Sequence, residues 1–295
     1  MSKNTNSVNY LLLSLIAIVW GSQYALNNIA LRSFSPMDVA CLRAVIGATT
    51  LAICTMLFKT KKPAPATTAA PKKVWHLYLL IALFESVIPL FLTAWGLTMV
   101  TSGTAAILMG LAPIFTLLVA SLIFGQERLR VSMILSVILG FSGIVVLSLP
   151  QTSGGSSSVI GEIALIMSAF SFSLSMVLMK YLPPHSPVGQ MRNILFIAAI
   201  PLVIVALIDN HWQAPELSAV IAMIVLGTFC TGIVYVMFMV LIQRTTSTFA
   251  SLTNYLIPLV GVVIGTLFMG EKILLNEIIA LVMIIGALLV TRIKR

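Results

Sequence analysis

Charge is what this sequence has least of. Only 8% of its 295 residues are Asp, Glu, Lys or Arg, against roughly 25% in soluble domains. That deficit excludes an ordinary water-soluble globular domain. Cysteine is also scarce. Cys41, Cys54 and Cys230 fall inside apolar runs with no CxxC spacing, which excludes a disulfide framework and a cysteine metal site. The histidines, His76, His185 and His211, sit near the ends of apolar stretches and far apart. No GxSxG, HExxH, Walker or other Gly-rich phosphate loop occurs. We therefore expect no enzyme, no cofactor, no metal and no ATP site, and any solute movement would have to run on a gradient. The net charge of +9 does not call for nucleic acid, because loop lysines that orient a membrane protein explain it. No obligatory protein partner is evident.

What is present is hydrophobic length. The mean hydropathy is +1.10, and the apolar runs are about 20 residues each, enough to cross a ~30 Å hydrocarbon core as helix. Ten spans can be drawn, near 10–31, 38–58, 75–98, 102–124, 130–149, 158–181, 187–208, 216–242, 248–269 and 274–292. The first run is too long for a signal segment and lacks a small-residue cleavage site, so it is expected to be retained. With ten spans, both ends lie on one side. Thirteen of the 17 basic residues fall on the side of the N-terminus, including the run from Lys59 to Lys73. The positive-inside rule then puts both termini in the cytoplasm. The expected partners are the lipid bilayer, here a bacterial inner membrane, and a small-molecule substrate.

The chain also repeats itself. Residues 103–129 and 248–273 align with Pro113 on Pro258, an offset of 145. Ala105 then meets Ala250, Phe124-Gly125 meets Met269-Gly270, and Glu127 meets Glu271 after a one-residue slip. The same offset sets Phe84-Glu85-Ser86-Val87-Ile88 against Phe229-Cys230-Thr231-Gly232-Ile233. Ser35-Pro36 and Ser186-Pro187 each open the second span of a half, with Ser as N-cap and Pro at the first helical position. Five spans per half force the halves to insert in opposite senses, the plan of carriers with inverted repeats. The expected fold is all-α and polytopic: ten transmembrane helices as two inverted five-helix repeats. Residues 1–149 and 158–295 form the halves, and 150–157 the connecting loop.

Within this frame, certain residues are candidates for chemistry. Glu85 lies near the middle of the third span, where a carboxylate costs about 2.5–3.5 kcal/mol on insertion scales. It is either a neutral acid bonded to a neighbouring helix or a site that takes up protons or binds a substrate amine. Trp20, Gln23, Tyr24 and Asn27 share one face of the first span at i, i+3, i+4 and i+7, which suits either a substrate path or polar contacts between helices. Phe170 is the counterpart of Trp20 in the second half. Pro89, Pro113 and Pro258 each free a carbonyl one turn earlier and permit a kink. Unsatisfied backbone is tolerated only toward protein or a cavity. Met109, Asn254 and Tyr255 are accordingly candidates for the cavity, together with Tyr235. Thr116-x3-Ala120 and Gly261-x3-Gly265 read as small-residue faces for a contact between the fourth and ninth spans. Arg43 and Arg192 either snorkel to the interface, form an internal pair, or hold a substrate carboxylate.

At Val19-Trp20-Gly21, Ser35-Pro36 with Arg43, Pro113 to Gly125 with Glu127, and Pro258 to Gly270-Glu271, the sequence resembles the drug/metabolite transporter superfamily, specifically its ten-span EamA-type proteins. One departure is Gln126, inserted between Gly125 and Glu127. The resemblance covers nearly the whole chain. It implies ten helices around a central substrate cavity and export of small metabolites such as amino acids by alternating access. Drug efflux or uptake is the alternative within transport, and a membrane-embedded enzyme is the runner-up outside it.

Overall fold

The computed structural model describes residues 3–57, 74–148, 158–209, 214–260 and 275–290. The loop Lys59–Lys73, the connection 150–157, Gly261, Gly265, Gly270, Glu271 and the C-terminal basic residues lie outside them.

Among the described residues the chain is helical, without strands. In order come α1 (Lys3–Ala30) and α2 (Pro36–Leu57). Next is α3 (Trp75–Gly96), whose Leu83–Val87 form a π turn. The following apolar stretch is split into α4 (Ser102–Met109) and α5 (Ala112–Leu118), the latter running into a second π turn, Val119–Ile123. Then come α6 (Val131–Ser148), α7 (Val159–Met179), α8 (Pro187–Asp209) and α9 (Leu217–Arg244), the last with a π turn at Thr228–Ile233. A short α10 (Ser247–Ser251) leads into α11, helical from 253 to the last described residue of that segment, 260. The last is α12 (Leu275–Val290). Among the described residues seven helical stretches, Thr104–Ile123 counted as one, have the length and hydropathy to cross a membrane, and Val131–Val146 and Ile278–Val290 are shorter apolar helices.

The ends of these helices follow from local chemistry. Ser35 and Asp38 form a reciprocal cap at the start of α2: the Asp38 amide donates to Ser35 Oγ at 3.2 Å, and the Ser35 amide donates to Asp38 Oδ2 at 3.1 Å. Two orphan donors are satisfied at once. Thr101 caps α4 by accepting from the Thr104 amide at 3.2 Å, and Thr246 caps α10 by accepting from the Phe249 amide at 3.1 Å. These two caps are 145 residues apart, the offset of the sequence repeat. The π turns in α3 and α9 stand at the same offset. Gly125, with φ +60°, ends the α5 segment in the left-handed region that glycine enters without steric cost.

Packing pairs the helices in exchange across the two halves. α1 lies against α9 and α3 against α7; α2 packs on α8, and α6 on α12. The outward faces are apolar, with Leu11, Leu15 and Ile18 exposed on α1, Ile134, Leu135 and Ile138 on α6, and Ile200, Ile204 and Leu207 on α8. Such a surface suits lipid rather than water. Thr116 and Ala120 meet α7, and α5 also packs on α10 at the start of the ninth span; the Gly261-x3-Gly265 side of the expected contact lies outside the described residues. The Thr116 hydroxyl meets Met176 Sδ at 3.8 Å, and Ala120 packs with Val177.

Candidate functional site

The site begins where α1, α2 and α9 meet. Gly47 on α2 is closely packed: a Cβ there would lie 3.1 to 3.3 Å from Leu195, Thr231 and the Gly227 carbonyl. A Cβ on Gly227 would lie 2.5 Å from Ile46. This close crossing carries Arg43, one turn before Gly47, to the π turn of α9. Arg43 donates from Nε to Thr231 Oγ1 at 3.1 Å, and from Nη2 to Gln23 Oε1 at 3.1 Å and the Cys230 carbonyl at 3.5 Å. It is only 2% exposed, so it does not snorkel to an interface. Arg192 instead reaches Thr55 Oγ1 at 3.3 Å.

Trp20 shares the Cys230 carbonyl, donating from Nε1 at 3.2 Å. A π turn displaces carbonyls from the regular ladder, and here the displaced group serves side chains from two other helices. The Trp20 ring lies edge-on to Phe172 at 5.5 Å and close to Phe238 and Tyr235, with centroids at 4.9 and 6.2 Å.

α3 repeats the device. Pro89 has no N–H to offer the Glu85 carbonyl four residues earlier, and the Tyr235 hydroxyl reaches that carbonyl at 3.5 Å. The Glu85 side chain is fully buried. Its Oε2 accepts from the Ser175 hydroxyl on α7, while Oε1 has no partner among the described residues.

Between these groups lies a small cavity of about 40 Å³. Its walls are Trp20, Gln23 and Tyr24 of α1, Arg43 of α2, Pro89, Leu90 and Thr93 of α3, Met109 of α4, Phe172 of α7, Tyr235 of α9 and Asn254 of α11. Of the residues singled out in the sequence, Trp20, Gln23, Tyr24, Arg43, Pro89, Met109, Tyr235 and Asn254 come together here. The others lie elsewhere. Asn27 is buried and bonds the Gln23 carbonyl at 2.9 Å. Glu85 is off the wall, linked to it through Tyr235. Tyr255 presses its ring on Gly140 and donates to the Val137 carbonyl at 2.9 Å, which fastens α11 to α6. Phe170 is 39% exposed and faces outward against Phe115. Phe172, two residues on, takes the place on the wall expected for Phe170, because the helical turn carries it to the opposite side. Pro113 sits in the first turn of α5, after a break at Gly110-Leu111. Pro258 lies inside α11, and the corresponding break comes earlier, at Leu252.

Leu90, Thr93 and Phe172 were not anticipated. Thr93 is signalled only by its spacing, one turn after Pro89 on the same face.

Comparison with known proteins enters at this point. The sequence profile of the EamA-like transporter family matches residues 8–149 and 159–293. An uncharacterized transporter of Archaeoglobus fulgidus is 25% identical over 270 residues, covering 91% of this chain and 93% of its own length. The uncharacterized inner membrane transporter YedA of Escherichia coli is 28% identical over 289 residues, covering 93% of this chain and 87% of its own. Protein PagO of Salmonella typhimurium is 22% identical, covering 97% and 93%. A protein crystal structure shares the fold with a TM-score of 0.75 at 19% identity, over 95% of each chain.

Proposed function

We propose that this chain, which belongs to the EamA-like transporter family, is a secondary carrier that exports small amphipathic metabolites such as amino acids. The observation that carries the reading is the cavity itself. Its walls come from helices of both halves of the chain, and its lining mixes aromatic side chains with a few polar groups. Movement of one half against the other would open such a space to alternate sides of a bilayer.

The exchange of partners, α1 with α9 and α3 with α7, is the pairing that a twofold axis between two inverted repeats requires. It supports the ten-span arrangement and the division into halves at 1–149 and 158–295. The basic residues support cytoplasmic termini, and the inner-membrane relative supports the same membrane for this chain. Glu85 is the coupling group in this scheme. A proton gained or lost at Oε1 changes a buried charge next to Ser175 and Tyr235, which link α7 and α9 to α3.

Purified protein in liposomes preloaded with unlabelled amino acids tests the reading. A carrier accelerates entry of the labelled compound by exchange. No counterflow across a panel of amino acids and small organic acids would overturn it.

A further inference from the structure

Among the described residues the cavity wall contains one charged side chain, Arg43, and no carboxylate. Among the described residues every hydrogen-bond partner of Arg43 is neutral: Thr231 Oγ1, Gln23 Oε1 and the Cys230 carbonyl. Neighbouring acids are engaged elsewhere. Asp38, on the same helix, accepts from Ser35, and Glu85 accepts from Ser175. Nη1 of Arg43 has no protein partner among the described residues. A cation buried without a counter-charge is costly unless an anion pairs with it, and the planar guanidinium fork matches a carboxylate.

We infer that Arg43 is the recognition group for a substrate carboxylate, and that the cavity, widened from its state here, takes monoanionic carboxylates with an apolar or aromatic body. This deepens the carrier reading and rests on it for the site being a substrate site. Trp20, Tyr24, Leu90, Met109, Phe172 and Tyr235 give the body its walls. A single guanidinium balances one negative charge, and a second would be left among those apolar walls. A substrate ammonium meets no acid on the wall, so an amine is neither required nor sufficient for binding.

The test uses the full-length protein in detergent and two probe sets, each with one shared body. The first is 3-phenylpropionate, L-phenylalanine and phenethylamine. The second is 4-methylpentanoate, L-leucine and 3-methylbutylamine. Binding is read as ligand-dependent thermal stabilisation. The carboxylate-bearing members of at least one set should stabilise the wild type, and the amine-only members should not. Arg43→Gln should weaken the carboxylates at least about tenfold, the scale of a charged hydrogen bond. Arg192→Gln, which removes an arginine that lies away from the cavity, should leave carboxylate binding unchanged. Amines binding as well as carboxylates, no carboxylate binding at millimolar concentration, or equal weakening of all probes in Arg43→Gln would overturn the inference. The wild-type comparison needs no variant to fold. Liposome counterflow separates the two readings. Carboxylates that bind through Arg43 but do not exchange sink the carrier and spare this inference, whereas exchange unaffected by Arg43→Gln does the reverse.

Discussion

The indole N–H of Trp20 donates to the backbone carbonyl of Cys230 at 3.2 Å, which fastens the first helix of the chain to the π turn of α9. Trp20→Phe keeps an aromatic ring but removes the donor and part of the buried ring volume. An interhelical hydrogen bond in a membrane protein contributes about 0.6 kcal/mol, so apparent substrate affinity should fall about threefold, and the lost ring volume should lower thermal stability as well. Counterflow kinetics of the variant measure this, and unchanged affinity would make the bond irrelevant to the site.

Glu85→Gln preserves shape and hydrogen bonding to Ser175 but cannot exchange a proton. Under the coupling proposal the variant should fold normally, retain exchange between equal concentrations, and lose its response to an imposed pH gradient. Full retention of gradient-driven transport would remove Glu85 from the coupling scheme.

Gly140 lies under the ring of Tyr255, where an added Cβ would stand 2.3 Å from ring carbons. Gly140→Ala should lower stability by about 1–3 kcal/mol, as overpacked cores do. Combining it with Tyr255→Leu should recover part of the loss, since the two positions share one contact. Thermal melts of the two single variants and the double variant decide the matter.

Lys180 donates from Nζ to the carbonyls of Ile242 and Thr245, at the C-terminus of α9. A cation there satisfies orphan carbonyls and opposes the helix dipole. Lys180→Met should cost about 1–2 kcal/mol, seen as a lower melting temperature. Arginine at the same position should retain most of the stability.

A reporter fused after Arg295 tests the membrane orientation. Activity in the cytoplasm agrees with both termini lying there. Activity on the far side contradicts an even number of spans with a cytoplasmic start.

Much of the architecture was readable in the chain because membrane insertion is a matter of local composition. A run of about 20 apolar residues has to be helical in lipid, since nothing else satisfies its backbone. Helix starts at Ser35-Pro36 and Ser186-Pro187 were equally local, as was the repeat at offset 145. The π turns at Leu83–Val87 and Thr228–Ile233 could be aligned with each other but not foreseen, because no residue type encodes the extra backbone residue.

The chain by itself therefore determined that these segments are apolar helices, that two stretches are related, and that Trp20, Gln23 and Tyr24 share one face. Only the tertiary structure decided that Arg43 is buried among neutral partners, that Phe172 rather than Phe170 faces the cavity, and that Tyr255 is fastened to α6. The physical reason is range. Helix formation and insertion depend on neighbours in sequence, whereas the direction of a side chain from a helix depends on which helix crosses it and how closely, as Gly47 and Gly227 settle for α2 and α9.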